Sequence, residues 1–392
     1  MEDVVIVGGA RTAIGDFMGS LKDVSAVELG ISAVMGALGK AGVPPEMVED
    51  VVGGMIYTAG AKANPARQIQ LRSGIPVAGA ATTVDQQCGS AMRALEIAVQ
   101  QMLLGKSGVS VAVGMENMSR APYLLLNARQ GLRMGHDTVQ DYLMHDALVD
   151  PFTGYHMGIT AENLAETYRI SREEADDLAL ESHKRAVAAI SAGKFRDKIV
   201  PVEVKSRKST VIVDSDEHPR SDLTRVKLAN LKPAFKENGT VTAGNASGIN
   251  DGAAALVLMT VSRARELGVR PIAKVLATAS FGVSPEIMGI GPAYAIPKAL
   301  KFAGLEMSDV DYFEINEAFA AQFIAVDREL KLDPSRVNSN GSGIALGHPV
   351  GCTGIRIIVS MLHEMKRRQS QYGVASLCVG GGPAMATVIE MI

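Results

Sequence analysis

The chain has 392 residues, a net charge of −3, no tryptophan and 4% aromatic residues. This length exceeds one ordinary hydrophobic core, so about two or three domains are expected. A near-neutral charge and few aromatic rings argue against nucleic-acid binding, which needs a basic face with stacking side chains. A small-molecule substrate is therefore predicted.

The cysteines and the apolar runs bear on location. Cys88, Cys352 and Cys378 are odd in number and widely spaced, which fits neither a disulfide framework nor a zinc site. The first residues lack the basic and long apolar segments of a signal peptide. No apolar run reaches the roughly 18 residues of a membrane span. We therefore predict a reducing, cytoplasmic location, no membrane association and no metal site.

The N-terminal part alternates strand and helix patterns. Residues 4–8 predict a buried strand that enters a glycine turn, and Ser25 begins a helical pattern that ends near Gly42. Residues 51–56 predict the next strand, and the β-branched run at residues 108–115 is typical of a strand covered on both faces. The order βαβαβ indicates an α/β fold.

Residues 84–100, with the sequence VDQQCGSAMRALEIAVQ, place Cys88 where a helix begins. The unpaired backbone N–H groups and the positive end of the dipole at a helix start favour a thiolate. Cys88 is therefore a candidate nucleophile with a lowered pKa. A cysteine at such a place is more often a small packing residue, so this stretch alone leaves both interpretations open.

The composition changes at Ser119. From there to about Asn250 the chain is polar and rich in charge, with a helical pattern at residues 172–189, and core composition returns at residues 253–260. A polar stretch of this length between core segments indicates an insertion. Its basic residues are individually more typical of a solvated surface.

The second half of the chain repeats features of the first half. Residues 300–318 parallel residues 38–55, and residues 354–382 parallel residues 89–114. We interpret this as an internal duplication. The predicted units are an N-terminal core half, an inserted loop domain and a C-terminal core half, at residues 1–118 plus 251–270, 119–250 and 271–392.

Three motifs of the second half carry candidate chemistry. NEAFAAQ begins at Asn316, which as an ordinary helix cap would need no further role. GHPVGCTG holds His348 in a tight turn before a helix, the duplicated counterpart of the position of Cys88. In SLCVGGGP, Cys378 closes a buried strand, and the glycines after it allow backbone N–H groups to converge on an anion.

Together these motifs resemble the thiolases, most closely the short-chain acetoacetyl-CoA thiolases. The matching segments are GGARTAIG, DQQCGS, GYHMG, TAGNASGINDGAAA, NEAFAAQ, GHPVGCTG and CVGGG, in this order from end to end. The resemblance implies a duplicated five-layer αβαβα core with an inserted loop domain. The implied activity interconverts two acetyl-CoA with acetoacetyl-CoA plus CoA by ping-pong covalent catalysis.

The resemblance implies a role for each catalytic candidate. Cys88 would be the acylated nucleophile and His348 the base that takes its proton. Cys378 would protonate the leaving CoA thiolate or take a proton from the incoming acetyl-CoA. Asn316, through a water, would form one oxyanion hole with His348. The N–H groups of Cys88 and Gly380 would form the other, and each donor aimed at a developing oxyanion contributes a few kcal/mol.

The resemblance also assigns the insertion to CoA, which would be substrate and product, with no permanently bound cofactor. His156, Met157 and Ser247 would line the pantetheine channel, with Leu148 near by and Arg220 close to the adenine end. Met157, Met288 and Phe319 would wall a short acyl pocket. A homotetramer, a dimer of dimers, is implied, with residues 124–149 as the candidate contact.

Three alternatives remain open. A degradative 3-ketoacyl-CoA thiolase would accept longer acyl chains. A non-catalytic acyl-CoA-binding protein would share the fold, although all four side chains, Cys88, Asn316, His348 and Cys378, are present. A cysteine-histidine hydrolase would use the same nucleophile. One departure from the usual pattern is Pro383, which has no N–H to donate.

Overall fold

The computed structural model describes residues 2–205 and 209–392. The strands of the large sheet, apart from two short ones, are β1 Val4–Thr12, β3 Asp50–Gly54, β4 Ala80–Val84, β5 Val109–Asn117, β11 Asn250–Thr260, β12 Ala273–Gly282, β13 Tyr312–Ile315, β14 Tyr372–Cys378 and β15 Pro383–Met391. The short strands β2 Gly15–Asp16 and β8 Ile199–Val200 pair with β11 and β1. Among the described residues, two small antiparallel sheets are formed by β6 Tyr123–Leu124 with β7 Gln140–Asp141, and by β9 Val202–Lys205 with β10 Thr210–Val213.

The helices of the two halves are α1 Ala26–Ala41, α2 Pro65–Arg72, α3 Ser90–Leu103, α7 Val261–Glu266, α8 Pro292–Ala303, α9 Ala320–Leu330, α10 Gly343–Leu346 and α11 Thr353–Arg368. Those of the insertion are α4 Met157–Thr167, α5 Arg172–Ser191 and α6 Arg225–Ala229. No helix within residues 2–205 and 209–392 is both long and apolar enough to cross a membrane.

The strand order of the large sheet shows the duplication directly. The path is β13-β14-β15-β12-β1-β11-β5-β3-β4. Outward from β1, the pairs β1–β11 and β11–β5 are antiparallel, and the pairs β5–β3 and β3–β4 are parallel. Outward from β12, the pairs β12–β15 and β15–β14 are antiparallel and the pair β14–β13 is parallel. A parallel bridge between Phe313 and Val337 follows at the edge. The two halves therefore have one topology.

The halves meet through a central layer of helices. Within the described residues, the strands of the two halves join only where Val5 and Ile6 of β1 pair with Lys274 and Ala273 of β12. Helices α3 and α11 pack on each other between the halves, and their apolar side chains share one core cluster with both sets of strands. Helices α1 and α2 cover one outer face, and α8 and α9 cover the other. This layered arrangement confirms the predicted duplicated α/β class.

Local sequence determines several element ends. Helix α1 begins after Ser25, whose hydroxyl accepts from Glu28 N–H while the Glu28 carboxylate accepts from Ser25 N–H. This capping box provides acceptors for backbone N–H groups at the helix start that have no partner within the helix. The helix ends at Gly42 with φ of 65°, a left-handed conformation that glycine adopts without a Cβ penalty. The predicted start and end of this helix are therefore confirmed.

The insertion packs against the C-terminal half. Ser171 and Glu174 form a second capping box at the start of α5. The hydroxyl of Ser182 in α5 donates to the carboxylate of Glu317, the second residue of the NEAFAAQ motif, at 2.6 Å. Helix α4 packs on α9 and on the turn at Pro285–Ile290. These contacts place the first residues of α4 next to the C-terminal strand ends.

Candidate active site

Cys88 lies in a tight turn directly before α3. Gln87 adopts a left-handed φ of 48°, and Ser90 Oγ accepts from Gln86 N–H at 2.9 Å while donating to Gln87 O at 2.6 Å. The predicted helix start is confirmed. Cys88 is half-buried, and burial of its thiol raises its pKa to about 11. The prediction of a lowered pKa is therefore wrong for the resting protein, because the desolvation of the thiol outweighs the backbone N–H groups that favour the thiolate.

Two backbone donors oppose this burial. The N–H groups of Gly380 and of Cys88 itself both act on the Cys88 sulfur and lower its pKa. Gly380 is followed by Gly381 and Gly382, with φ of 82° and 104°. A Cβ on Gly382 would lie 2.1 Å from Val283 O, so the loop needs glycine there. The loop after β14 thus aims an N–H at the thiol that begins α3.

Cys378 ends β14 and is buried. Burial raises the pKa of its thiol well above the ordinary range, and the negative charge of a Cys88 thiolate raises it further. The turn of Cys88 also lies against the residue that follows Cys378, since a Cβ built on Gly89 would lie 3.0 Å from Cγ2 of Val379. The structure therefore brings the two predicted cysteines into one site.

His348 lies in the loop between α10 and α11 and is 5% exposed. Burial, together with the charge of Arg356, lowers its pKa to about 3, so the imidazole is neutral at physiological pH. Its Nδ1 lies 2.6 Å from Thr353 Oγ1, and its backbone N–H donates to Asn250 Oδ1 at 2.9 Å. Its Nε2 is buried without a hydrogen-bond partner among the described residues. Nε2 is thus the nitrogen available to a reacting group.

Asn316 follows β13 and is fully buried. Its N–H donates to Ser376 O at 2.9 Å, which fixes the residue beside the strand that carries Cys378. Arg356 Nη2 donates to Asn316 Oδ1 at 3.2 Å. Because a guanidinium can only donate, the amide oxygen must face Arg356. The amide Nδ2 is left as a buried donor with no partner in the described part of the chain.

Glu116 was missed by the sequence reasoning. Its carboxylate accepts from the N–H groups of Ile56, Tyr57 and Gly351 at 3.0, 3.1 and 3.0 Å. Burial raises its pKa to about 8, although these three donors favour the charged form. Glu116 thereby ties the loop of His348 to the N-terminal half. An acidic residue in an otherwise apolar strand was the signal that could have identified it.

A small apolar cluster adjoins Cys378. It contains Met157, Met288, Phe319 and Cys378, which are all buried. Phe235 packs against it, and its ring stacks on His156 with centroids 4.4 Å apart. His156 caps α4 by accepting from Gly158 N–H at 3.0 Å. The three predicted pocket residues therefore share one cluster with the second cysteine.

The other predicted binding residues lie in different surroundings. Ser247 N–H donates to Ala318 O at 2.8 Å, next to Phe319. Leu148 packs on the same apolar cluster as Cys88. Arg220 is exposed and contacts Asp16 and the ring of His183. Its place at a nucleotide stays a prediction.

Two family models together match nearly the whole chain. The family model described as thiolase, N-terminal domain, matches residues 4–262, and that of the thiolase C-terminal domain matches residues 269–391. The chain belongs to the thiolase family.

Individual relatives agree over their full length. The chain is 49% identical to the acetyl-CoA acetyltransferase of Pseudomonas aeruginosa, covering 99% of both chains. It is also 49% identical to an Escherichia coli acetyl-CoA acetyltransferase, covering 100% of both. The solved acetyl-CoA acetyltransferase of Syntrophomonas wolfei superposes with a TM-score of 0.98 at 49% identity over 100% of both chains. Human mitochondrial 3-ketoacyl-CoA thiolase gives 0.97 at 41% identity, covering 100% of this chain and 99% of that one.

Proposed function

We propose that this protein is an acyltransferase that interconverts two acetyl-CoA with acetoacetyl-CoA plus CoA. The observation that carries this proposal is the surroundings of Cys88, whose thiol faces the N–H groups of Cys88 and Gly380 and lies near enough to Cys378 to influence its pKa. Val350, two residues after His348, lies in the apolar cluster against which Cys88 packs. The family and the acetyl-CoA acetyltransferase relatives support the same reaction.

The first half-reaction transfers an acetyl group to Cys88. His348 Nε2 takes the thiol proton as the sulfur attacks the thioester carbonyl carbon. The N–H groups of Cys88 and Gly380 donate to the oxygen that becomes negative. The C–S bond to CoA then breaks, and Cys378 protonates the departing CoA thiolate. Acetyl-Cys88, protonated His348 and the Cys378 thiolate remain.

The second half-reaction forms the carbon–carbon bond. The Cys378 thiolate removes a methyl proton from a second acetyl-CoA, whose thioester oxygen becomes negative. Protonated His348 and the amide Nδ2 of Asn316, through a water, stabilise that oxygen. The carbanion attacks the acetyl carbon, acetoacetyl-CoA leaves, and His348 returns its proton to Cys88. The cycle ends with every residue in its starting state.

The inserted residues 119–250 are proposed as the CoA-binding unit between core halves 1–118 plus 251–270 and 271–392. Supporting this, the first turn of α4 brings His156 and Met157 to the cluster that contains Cys378. Ser247 would complete the pantetheine channel beside them, with Leu148 near by. Arg220, exposed on the same unit, would meet a phosphate of the nucleotide.

A decisive experiment is mass spectrometry after incubation with acetoacetyl-CoA. An acetyl adduct on Cys88 is expected in the native protein, and none in Cys88→Ser. Cys378→Ala is incubated with acetyl-CoA instead, because acetylation by acetoacetyl-CoA is the reverse of condensation and itself needs Cys378. With acetyl-CoA the adduct on Cys88 is expected in this variant. Cys378→Ala should retain acylation but lose condensation by orders of magnitude. Folded native protein that gains no adduct would favour a binding protein, and net thioester hydrolysis without CoA dependence would favour a hydrolase. Equal loss of both half-reactions in Cys378→Ala would contradict the division of labour.

Acyl-chain length separates this proposal from the degradative alternative. Met288 is buried in one cluster with Met157 and Phe319, and in this proposal these side chains limit the pocket to a short acyl group. Turnover of acetoacetyl-CoA should therefore exceed that of 3-ketohexanoyl-CoA. Met288→Ala removes several heavy atoms and should raise the relative rate with the longer substrate about tenfold, since one methylene in an apolar pocket is worth about 1–3 kcal/mol. A native preference for 3-ketohexanoyl-CoA would establish the degradative enzyme instead.

We further propose a cytoplasmic homotetramer, a dimer of dimers. Apolar side chains in residues 124–149 support it because they are exposed in the monomer: Leu125, Leu126, Leu132, Met134 and Val139.

A further inference from the structure

Thr353 stands at the junction of the His348 loop and α11. It is the first residue of that helix and is fully buried. Its Oγ1 lies 2.6 Å from His348 Nδ1 and 3.0 Å from Pro349 O. The hydroxyl therefore contacts one group that can only accept and one ring nitrogen that can either donate or accept.

The hydrogen-bond inventory favours one arrangement. The Thr353 hydroxyl has a single proton, and Pro349 O can only accept it. The hydroxyl lone pair is then free to accept from Nδ1–H of His348. In the opposite arrangement the hydroxyl donates to Nδ1, and the ring proton lies on Nε2. That nitrogen has no partner within the described residues. A buried N–H without an acceptor is rarer than an unpaired acceptor.

We propose that Thr353 is a positioning residue that holds His348 in its Nδ1–H tautomer and so keeps the Nε2 lone pair available to Cys88. This inference rests on the proposed function, in which Nε2 takes the thiol proton. An imidazole with its proton on Nε2 could not accept another there. The hydroxyl would thus decide whether the base is in its reactive form before the substrate arrives.

Two substitutions distinguish this role from simple packing. Thr353→Ser keeps the hydroxyl and removes a methyl group. Thr353→Val keeps the shape and removes the hydroxyl, so Nδ1–H loses its acceptor. If Thr353 acts by packing alone, Thr353→Val should lose less activity than Thr353→Ser. If it sets the tautomer of His348, Thr353→Ser should lose less activity than Thr353→Val.

The kinetic test has two measurements. The first is the single-turnover rate of Cys88 acetylation by acetoacetyl-CoA, and the second is the steady-state rate in the presence of CoA. Thr353→Ser should stay within about threefold of the native rate, and Thr353→Val should lose about 10²-fold in kcat with KM little changed, as for other buried partners that orient a catalytic histidine. Thr387→Val is a matched control, since Thr387 of β15 is also fully buried. Its Oγ1 lies 3.3 Å from Oγ1 of Thr278 in β12. It should retain full activity.

The spectroscopic test is nitrogen NMR of ¹⁵N-histidine-labelled protein, with the His348 signals identified by their loss in His348→Asn. Native protein and Thr353→Ser should show a protonated Nδ1 and an unprotonated Nε2, and Thr353→Val should show a proton on Nε2. A native Nε2–H, or a valine variant as active as native protein, would overturn the proposal. If native protein formed no acetyl-Cys88, the proposed function would fail, and the NMR result would still decide the tautomer.

Discussion

Burial acts in opposite senses on the pKa of the thiol and on that of the imidazole to which we assign the proposed reaction. It raises the pKa of the Cys88 thiol to about 11 and lowers that of the His348 imidazole to about 3, since in each case the charged form is disfavoured. The resting site therefore holds a thiol and a neutral imidazole, not an ion pair. Proton transfer must accompany attack on the thioester, when the oxyanion donors have a charge to stabilise.

His183 provides a pH prediction at the same scale. Its Nδ1 accepts from Arg220 N–H at 3.1 Å, and burial lowers its pKa to about 4. A depressed histidine pKa contributes stability above the ordinary value of about 6.5, and this contribution is lost as the pH falls toward 4. Between pH 6.5 and 5 the loss is about 2 kcal/mol. Urea unfolding of native protein should show this decline.

His183→Asn should reduce that decline, because an amide oxygen can accept from Arg220 N–H without titrating. His136→Asn, in an exposed loop, is the control and should follow the native curve. Identical acid sensitivity in all three proteins would show that His183 does not contribute.

Residue identities were predictable where a local motif carries them. Cys88, His348, Cys378 and Asn316 each lie in a short glycine-rich or cap-like segment. Arg356 and Glu116 were not predictable as site residues, because their partners are distant in sequence. The same distance explains the wrong expectation for the Cys88 pKa, since burial depends on the second half of the chain.

At the scale of elements, strand β5 is tied to the loop before α11 by one carboxylate. Glu116 receives three backbone N–H groups, two from residues after β3 and one from Gly351. At pH 9, above its pKa of about 8, Glu116 is ionised, and Glu116→Gln would then replace one acceptor oxygen by an NH₂ group that faces a donor. We expect about 1–3 kcal/mol of destabilisation and reduced acetylation of Cys88.

Urea unfolding and the Cys88 acetylation rate would measure these effects. Glu237→Gln, on an exposed turn, is the matched control and should change neither. A glutamine variant with native stability and rate would show that this carboxylate does not hold the His348 loop.

Element boundaries were predictable where caps exist. The span from Ser25 to Gly42 and the helix at residues 172–189 correspond to α1 and α5, whose starts are capping boxes. Helix α2 and strand β4 were not predicted. Strand β4 is a partly exposed edge with no continuous apolar run, so its pattern resembles that of a loop.

At the scale of the whole molecule, the duplication was readable from repeated segments, but the meeting of the halves was not. Their strands pair over two residues only, and the joint is made by α3 and α11. In α11 every residue from Thr353 to Leu362 is buried, and the apolar side chains of α3 lie in the same core cluster, as expected for a buried central layer.

Self-association is the prediction at this scale. Light scattering at micromolar concentration should give a mass above that of the 41.3 kDa chain. Met134, which is fully exposed, and Leu132 lie in the segment of residues 124–149. Leu132→Glu with Met134→Glu should halve the mass, since charges would be buried at the contact. Val226→Glu, at an exposed apolar position of α6, should not. A native monomer would contradict the proposed tetramer.

The central helix layer has a consequence for how such a site can be asymmetric. A single half would expose the inner face of its helix and would have to pair with an identical copy, which would place the same residue at both helix starts. Fusing two halves in one chain removes that constraint. One helix start can then hold a nucleophile and the other a base, so that a near-symmetric scaffold carries a reaction whose two steps need different partners.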